Sequence, residues 1–319
     1  MNTSFKYFSQ LSKYFSNELV CIEYLEKERW GGKPECPHCG SEFHSRTKTR
    51  FKHVDLVNYK DFRCRACDKK YTVLTGTIYE KTQIKLSLWF QALYLVSAHK
   101  KGISSLQLSS DLGVTQKTAW FMNHRIREML REKEIQMLEG IVSADETYMG
   151  GKTNNKHKNK RSILNDDRSR KDKTPVIGIM EQGGKIHTVV MKQQANKTTV
   201  EPIIRSNVNT GSILITDASR IYNNLRLDYD TFIVNHKKDE FISKEGYSTN
   251  NVENYWSLLK RGIYGIYHQV SPKHLHRYCT EFEYRFNNRR ISDIEKFEKA
   301  IKMCNGTRLT YKNLIAKNK

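Results

Sequence analysis

Two pairs of cysteines place the strongest local constraint on how this chain folds. They occur as Cys36-Pro37-His38-Cys39 and Cys64-Arg65-Ala66-Cys67. Zinc takes four tetrahedral ligands, and a Cys-x-x-Cys turn supplies two thiolates at a suitable separation. The gap between the pairs is a few residues longer than a common spacing, which a longer hairpin would absorb, and a redox dithiol would not need a second pair. The spacing therefore predicts a structural zinc ion bound by Cys36, Cys39, Cys64 and Cys67.

The excess of basic side chains indicates an acidic partner. Among 319 residues, 55 are Lys or Arg and 34 are Asp or Glu, which gives a net charge of +21. Nucleic acid is the leading partner because Lys and Arg that neutralise phosphates release counterions, and a membrane surface is the alternative. No run of 18 or more apolar residues exists, so no membrane span is expected. Residues 1–20 lack the pattern of a signal peptide, and the cysteine usage suits a reducing compartment, so a cytoplasmic location is expected.

The hydrophobic pattern divides the chain into three modules. Residues 1–82 contain an N-terminal helical segment and the cysteine pairs, and residues 83–135 are predicted to be helical. Residues 136–319 alternate between strand-like and helix-like segments, which predicts an α/β module. Residues 152–173 within it are polar and rich in Lys and Arg, and are predicted to form a mobile basic loop.

The second module has the pattern of a helix-turn-helix. A helix is predicted over Ser104–Asp111, a break at Gly113, and a second helix from Thr115 to about Arg131. An ordinary helical hairpin with a solvated basic face is the alternative, and the net charge favours DNA binding. The predicted DNA-contacting residues point outward from the second helix, and they are Gln116, Lys117, Asn123, Arg125 and Arg127.

Three acidic residues of the third module suit a metal-dependent site. Asp145 ends the apolar run 140–144, Asp217 ends the run 212–216, and Glu253 begins a helix-like stretch. Strand ends and a helix start can bring distant carboxylates to one edge of a sheet. Mg²⁺ is usually held by a few carboxylates together with substrate phosphate. Two such ions about 3.5–4 Å apart stabilise the attacking and leaving oxygens of a phosphoryl displacement.

Each acid alone also has a structural interpretation. Asp145 can belong to a turn at a strand end, Asp217 can cap a helix, and Glu253 can form a capping box with Asn250. Glu146 follows Asp145, but alternation along a strand directs it to the other face, so it is left out of the site.

Two basic residues follow Glu253 on the same predicted helix. Lys260 comes seven residues later and shares a face with Glu253 and Trp256. It is predicted to contact DNA phosphate, and an ordinary solvated lysine is the alternative because Arg261 is adjacent. Arg261 is predicted to contact the DNA backbone.

Long motifs in the third module resemble the insertion-sequence DDE transposases of the ISXO type. The stretch Thr249-Asn250-Asn251-Val252-Glu253-Asn254-Tyr255-Trp256-Ser257-Leu258-Leu259-Lys260-Arg261-Gly262 and its continuation to Tyr278 resemble the block around the third acid of that family. Ala144-Asp145-Glu146-Thr147-Tyr148-Met149-Gly150-Gly151-Lys152 resembles the first block, and Thr216-Asp217-Ala218 the second. An N-terminal zinc ribbon and a helix-turn-helix also suit this family, so the resemblance extends over nearly the whole chain.

The resemblance implies an RNase H-like mixed sheet with flanking helices that binds two Mg²⁺ (or Mn²⁺) ions. Asp145, Asp217 and Glu253 would bind the metal, and Lys260 would be the fourth catalytic residue. Such an enzyme binds the inverted repeats of transposon ends, cleaves the DNA and joins the 3′ ends to target DNA. A homodimer or higher oligomer on double-stranded DNA, associated with a bacterial nucleoid, is expected. Asn250 or Asn251 can also contribute at the third position, and His236 is either near the phosphates or structural.

Two other functions remain open from the sequence. A zinc-ribbon DNA-binding regulator derived from a transposase would lack catalysis, although the three intact acids argue against it. A structure-specific nuclease built on the same core would cut DNA without joining it. Metal-dependent cleavage and strand transfer distinguish these functions from transposition.

Overall fold

A computed structural model describes residues 5–48, 60–133, 136–150, 173–234 and 247–316. The chain divides into two compact units. Unit 1 comprises residues 1–131 and 291–319, and unit 2 comprises residues 132–290. Residues 152–172 of the predicted basic loop, and His236, lie outside the described residues. None of the helices in the described ranges is both long enough and apolar enough to cross a membrane.

Unit 1 consists of helices and a small antiparallel sheet. Its elements are α1 (Phe8–Tyr14), α2 (Glu18–Trp30), β1 (His44–Lys48), β2 (Lys60–Cys64), β3 (Lys70–Tyr71), α3 (Leu86–Ala98), α4 (Ser105–Leu112), α5 (Gln116–Met129), α9 (Asp293–Lys302) and α10 (Tyr311–Ile315). The strands pair in the order β1-β2-β3. The long hairpin expected between the two cysteine pairs is therefore formed by β1 and β2, which pair antiparallel from His44 opposite Cys64 to Lys48 opposite Lys60.

Helices α4 and α5 lie where the sequence predicts them. Ser104 and Thr115 are their N-caps, and each accepts a hydrogen bond from a backbone N–H in the first turn of its helix. Gly113 ends α4 in the left-handed conformation with φ +64°, which glycine adopts without the steric cost of a Cβ. Local sequence signals are therefore sufficient to define this helix-turn-helix.

An aromatic cluster forms the core of unit 1, and α9 contributes to it. The ring of Phe297 lies 5.9 Å from those of Phe15 and Phe90, and Phe297 is fully buried. The C-terminal segment also joins unit 1 through its backbone, since the N–H of Gly306 donates to the carbonyl of Gly76 at 2.8 Å.

These contacts correct the predicted domain boundaries. The sequence pattern assigned residues 291–319 to the third module, whereas the structure packs them in unit 1. It also separated residues 1–82 from 83–135, but residues 1–131 belong to one compact unit and residues 132–135 to the other. The pattern of α9 shows only that it buries an apolar face, and the sequence does not say which partner covers that face.

Unit 2 is built on a mixed sheet. Its elements are β4 (Ile141–Met149), β5 (Thr174–Glu181), β6 (Ile186–Val190), α6 (Lys197–Asn207), β7 (Ile213–Asp217), a 3₁₀ helix (Arg220–Leu227), β8 (Asp230–Val234), α7 (Asn250–Gly262), a π-helical turn (Ile263–Tyr267) and α8 (Pro272–Asn287). Within the described residues the strand order is β6-β5-β4-β7-β8. Strands β4, β5 and β6 are antiparallel neighbours, and β7 and β8 run parallel to β4. This order and these directions are those of an RNase H-like sheet, as expected.

Helices cover both faces of this sheet. Side chains alternate along each strand, so that Val142 and Ala144 pack with α6 and the 3₁₀ helix. On the other face, Val176 and Met180 of β5 pack with α7 and α8. Residues 143, 145, 215 and 217 therefore face α7.

Candidate functional site

Asp145 and Asp217 lie on neighbouring parallel strands at the same level. Strand β4 pairs with β7 up to Ser143 opposite Ile215, and each aspartate comes two residues later. Two residues further along a strand the side chain returns to the same face. Asp217 is the last residue of β7, whereas Asp145 lies in the middle of β4, which continues to Met149 and does not end at this residue as the sequence suggested. Both carboxylates therefore lie just past the last paired residues of β4 and β7, at the edge of this parallel pair, on the face covered by α7.

Asp145 lies in an environment that disfavours its negative charge. Burial raises the pKa of Asp145 to about 7, and the neighbouring carboxylates of Glu146 and Asp217 add to this increase. The indole N–H of Trp256, which donates to Asp145 Oδ2 at 2.9 Å, opposes it. A bound cation would relieve this repulsion between carboxylates, as expected for a metal ligand.

Glu253 lies in the first turn of α7, and it is exposed. The N-cap of α7 is Thr249, whose side chain makes no capping hydrogen bond, and Asn250 is already the first residue inside the helix. The capping box between Asn250 and Glu253, which was the alternative role for this acid, is therefore not formed. Asn250 is half-buried and Asn251 is exposed, and both lie in the same turn.

The oxygen donors at this edge of the sheet suit a hard cation. Mg²⁺ prefers carboxylate oxygens, and it keeps several water or phosphate ligands of its own. In the described part of the chain, the three carboxylates do not form a group whose oxygens all lie within 4.8 Å of one another. Two ions about 3.5–4 Å apart do not require such a group, because each ion needs only some of the carboxylates.

Glu146 points away from this edge, as the alternation along the strand predicts. Its Oε2 accepts a hydrogen bond from the hydroxyl of Tyr222 at 2.7 Å. Tyr222 belongs to the core on the face covered by α6. Glu146 thus influences Asp145 through its charge, while its carboxylate has a partner on the opposite face of the sheet.

Lys260 and Arg261 differ in their environment on α7. Lys260 is half-buried and Arg261 is exposed. Arg261 Nε donates to the carbonyl of Ser257 on its own helix at 3.1 Å. Since residues seven apart share a helix face and adjacent residues are separated by about 100°, Lys260 lies on the face of Glu253 and Arg261 does not.

The sequence did not reveal that Trp256 contacts Asp145. It indicated only that Trp256 shares a helix face with Glu253 and Lys260. The indole crosses β5 at Gly178, which pairs with Asp145 in the sheet. A glycine in the middle of an apolar strand is the one sequence signal for such a close approach.

The four cysteines form a cluster that fits one zinc ion. Their sulfur atoms all lie within 4.8 Å of one another, with Cys36 3.7 Å from Cys67 and Cys39 3.6 Å from Cys64. Zn–S bonds of about 2.3 Å in a tetrahedron separate the sulfurs by about 3.8 Å.

Turn geometry and hydrogen bonds support this cluster. The turns after the two pairs place Gly40 and Asp68 at positive φ, a conformation available to glycine and tolerated by aspartate. Backbone N–H groups of Cys67 and Ala66 lower the pKa of Cys64 to about 6, whereas hydrogen bonds with the neighbouring thiols raise the pKa of Cys39 to about 12. The thiolate form that binds metals is therefore favoured at Cys64 in particular.

The predicted DNA-contacting residues of α5 separate into two groups. Gln116 and Lys117 are exposed in the first turn of the helix. Asn123, Arg125 and Arg127 are buried, with 1%, 5% and 2% of their surface exposed. The prediction that these three residues point outward is therefore wrong.

Arg125 illustrates why a basic residue on this helix can be structural. Its Nη2 donates to the carbonyl of Glu80 at 3.2 Å, and its guanidinium lies over Trp89 and Phe121. Burial lowers the pKa of Arg125 to about 10. A guanidinium can stack on aromatic rings in this way, and its charge alone does not distinguish such a residue from one that binds DNA.

Two family models match the chain, one over the cysteine cluster and one over the mixed sheet and its helices. Residues 137–287 match the model of an ISXO2-like transposase domain, and residues 16–70 match a transposase zinc-ribbon domain. The first range contains Asp145, Asp217, Glu253 and Lys260, and the second contains all four cysteines of the cluster.

Two curated relatives are similar to this chain. An uncharacterised protein in transposable element ISH50 of Halobacterium salinarum is 26% identical over 86% of this chain and 92% of its own length. An uncharacterised transposase-like protein of Haemophilus influenzae is 33% identical over 34% of this chain and 85% of its own length.

Two solved structures of Mos1 complexes are more distantly similar. The Mos1 strand transfer complex is 13% identical, with a TM-score of 0.27 over 62% of this chain and 69% of that chain. A pre-cleavage Mos1 transpososome is 12% identical, with a TM-score of 0.17 over 62% and 73%. TM-scores this low do not establish a shared fold. The fold is therefore assigned from the order and directions of the strands.

Proposed function

Because the chain belongs to the ISXO2-like transposases with an N-terminal zinc ribbon, we propose that it is a metal-dependent DNA transposase. It binds the inverted repeats of its transposon, cleaves DNA at the ends, and joins the 3′ ends to target DNA. The observation that carries this proposal is the pair Asp145 and Asp217, level on neighbouring parallel strands beneath the helix that bears Glu253.

Asp145, Asp217 and Glu253 would hold two Mg²⁺ or Mn²⁺ ions. Bound there, the ions would activate water or a 3′ hydroxyl and stabilise the oxygens of the displaced phosphate. The protein contributes position and charge, which is most of what phosphoryl transfer requires. Asp145 and Asp217 are fixed by the sheet, and Glu253 by the first turn of α7. Lys260, two turns beyond Glu253 on the same face, would bind a phosphate near the cleavage site.

Unit 1 is proposed to recognise the transposon ends. Gln116 and Lys117, exposed at the start of α5, are the candidates for contact with base edges or phosphates. Arg261 is proposed to contact the DNA backbone, and a homodimer or higher oligomer to assemble on the DNA. These roles follow from the helix-turn-helix arrangement and from the net charge of +21.

The test uses a DNA substrate whose two ends are the sequences that flank the gene on either side. The wild-type protein should cleave this DNA in the presence of Mg²⁺ and join it to a target plasmid. Asp145→Ala, Asp217→Ala and Glu253→Gln should each abolish cleavage and leave end binding largely intact, because the three acids serve the metal. If one of these variants cleaves DNA as well as the wild type does, the substituted residue is not part of the metal site.

The same assay distinguishes the other two functions. Cleavage without joining would identify a nuclease, and binding without cleavage by the wild type would identify a regulator. Lys260→Ala and Arg261→Ala form a matched pair, since each removes one positive charge from α7. Lys260→Ala should reduce joining more strongly, and equal, small effects would make Lys260 an ordinary surface residue.

A further inference from the structure

Trp256 connects α7 to the strand that carries Asp145. It lies one helical turn after Glu253, and 4% of its surface is exposed. Its Nε1–H donates to Asp145 Oδ2 at 2.9 Å. One residue thus contacts the first carboxylate of the proposed site from the helix that bears the third.

Gly178 provides the space for this contact. A Cβ at position 178 would lie 2.7 Å from Cζ2 and 2.8 Å from Cη2 of Trp256, which is closer than real Cβ atoms approach other atoms. Gly178 has no positive φ, so glycine is required there for space and not for its backbone conformation. Because Gly178 pairs with Asp145 across β4 and β5, the indole lies on the sheet directly beside the carboxylate.

The hydrogen bond restricts how Asp145 can bind a cation. A carboxylate has two oxygens with several lone pairs, and the indole N–H occupies one direction at Oδ2. The backbone N–H of Glu146 also hydrogen-bonds to this carboxylate, so a cation would bind through the lone pairs that neither donor occupies. The indole N–H can only donate a hydrogen bond. Asp145 must therefore be the acceptor in this contact.

We propose that Trp256 is a positioning residue of the metal site, which orients Asp145 through its N–H and fixes α7, with Glu253, against the sheet through its ring on Gly178. This inference depends on the proposed metal site at Asp145, Asp217 and Glu253. Groups that hydrogen-bond to metal ligands commonly change metal affinity by about 10–100-fold when they are removed. The ring and the N–H have separate effects, so two variants can test them.

The first experiment measures Mn²⁺ affinity of the full-length protein by titration. Trp256→Phe removes the N–H and retains an aromatic ring, whereas Gly178→Ala retains the indole and displaces it from β5. Each should weaken binding by about 10-fold or more. Gly265→Ala is the control, because a Cβ added there meets no atom within 4 Å beyond its neighbours in the chain and the backbone of its own helical turn. Its affinity should equal that of the wild type.

The second experiment observes the indole N–H itself by ¹⁵N–¹H NMR. The chain has four tryptophans, and Trp256→Phe identifies the signal of Trp256 by its disappearance. Mg²⁺ should shift this signal and Mn²⁺ should broaden it, and Asp145→Ala should abolish both effects. Mn²⁺ broadens every signal close to the ion through space, so the broadening shows only that Trp256 lies near the metal, and the Mg²⁺ shift is the result that reports its hydrogen bond to the metal-binding carboxylate.

The outcomes separate the inference from the proposed function. If Asp145→Ala abolishes Mn²⁺ binding, but Trp256→Phe and Gly178→Ala bind as the wild type does and Mg²⁺ leaves the signal of Trp256 unchanged, the inference is wrong and the metal site stands. If the two variants lose affinity only in proportion to their unfolded fraction, Trp256 is merely structural and the inference is again wrong. Unchanged Mn²⁺ binding in Asp145→Ala would overturn the proposed metal site itself.

Discussion

At the scale of single residues, the environment of Asp145 disfavours its ionised carboxylate, and this lowers the stability of the fold when no cation is bound. Burial and the nearby carboxylates of Glu146 and Asp217 raise its pKa to about 7. Hydrogen bonds from the indole of Trp256 and from the backbone of Glu146 compensate only in part. Functional sites are often less stable than the same fold would be with other residues, and a charged Asp145 in the proposed metal site would be an example of this trade-off.

The metal-free protein should therefore become more stable when Asp145 is replaced by Asn. The pKa of an unfolded aspartate is about 3.9, below the folded value of about 7. Between these values the folded state binds more protons, so the wild type loses stability as the pH rises. At pH 8, Asp145→Asn should exceed the wild type in free energy of unfolding by on the order of 2 kcal/mol, and at pH 5 by less.

Denaturant unfolding between pH 5 and pH 8, without added divalent cations, measures this difference. Asp230→Asn is the control, since Asp230 is an exposed residue at the start of β8. Addition of Mg²⁺ should stabilise the wild type and leave Asp145→Asn unchanged. A stability difference that is the same at pH 5 and pH 8 would contradict the environment described for Asp145.

At the scale of elements, the zinc ribbon is expected to depend on a bound zinc ion more than on its apolar core. In the described part of the ribbon, the buried apolar cluster consists of Cys36, Phe62, Cys64 and Tyr71, with Trp30 and Cys67 partly buried against it. A cluster of this size supplies little hydrophobic stabilisation, and structural zinc sites contribute folding free energy directly. The cysteine pairs are thus expected to hold β1, β2 and β3 together.

The purified protein should contain about one zinc ion per chain, and Cys64→Ser should lose it. Cys21→Ser is the control, because Cys21 lies in α2 outside the cluster. Zinc removal by a chelator should unfold the ribbon while unit 2 keeps its own unfolding transition. Elemental analysis of the variants gives the zinc content, and equal zinc in Cys64→Ser and Cys21→Ser would contradict the assignment.

At the scale of the whole molecule, the chain leaves unit 1, forms unit 2 and returns to unit 1. Helix α9 brings Phe297 into an aromatic core with Phe5, Phe15 and Phe90. The capping box of Ser292 and Glu295 starts this helix directly after unit 2 ends. The integrity of the proposed end-binding unit therefore depends on residues that follow the sheet of unit 2 in the sequence.

Phe297→Ala should destabilise unit 1 by about 3–5 kcal/mol, because it deletes a fully buried ring from a packed core. Phe43→Ala is the matched control: it removes the same side chain from the same unit, but 77% of Phe43 is exposed. Its effect should stay within about 0.5 kcal/mol. Limited proteolysis should cleave Phe297→Ala in unit 1 first, and similar stability of the two variants would contradict the assignment of α9 to this core.

Local patterns of the sequence determined much of this protein. The cysteine spacing predicted the cluster and its hairpin, and Ser104, Gly113 and Thr115 marked the ends of α4 and α5. The apolar runs predicted the strands that carry Asp145 and Asp217, and β7 ends at Asp217 as expected, but β4 continues past Asp145 to Met149. These features depend on residues close together in the chain, through capping, turn conformation and alternation.

Only the tertiary structure determined which helix and sheet faces pack against each other, and therefore which side chains are buried. Arg125 and Gln116 both appear polar on a predicted helix, yet Arg125 is buried over Trp89 and Gln116 is exposed. The return of α9 to unit 1, and the contact of Trp256 with Asp145, join residues more than 100 positions apart. A residue's own periodicity shows that a face is buried but not what covers it, because that choice minimises the exposed apolar area of the whole chain.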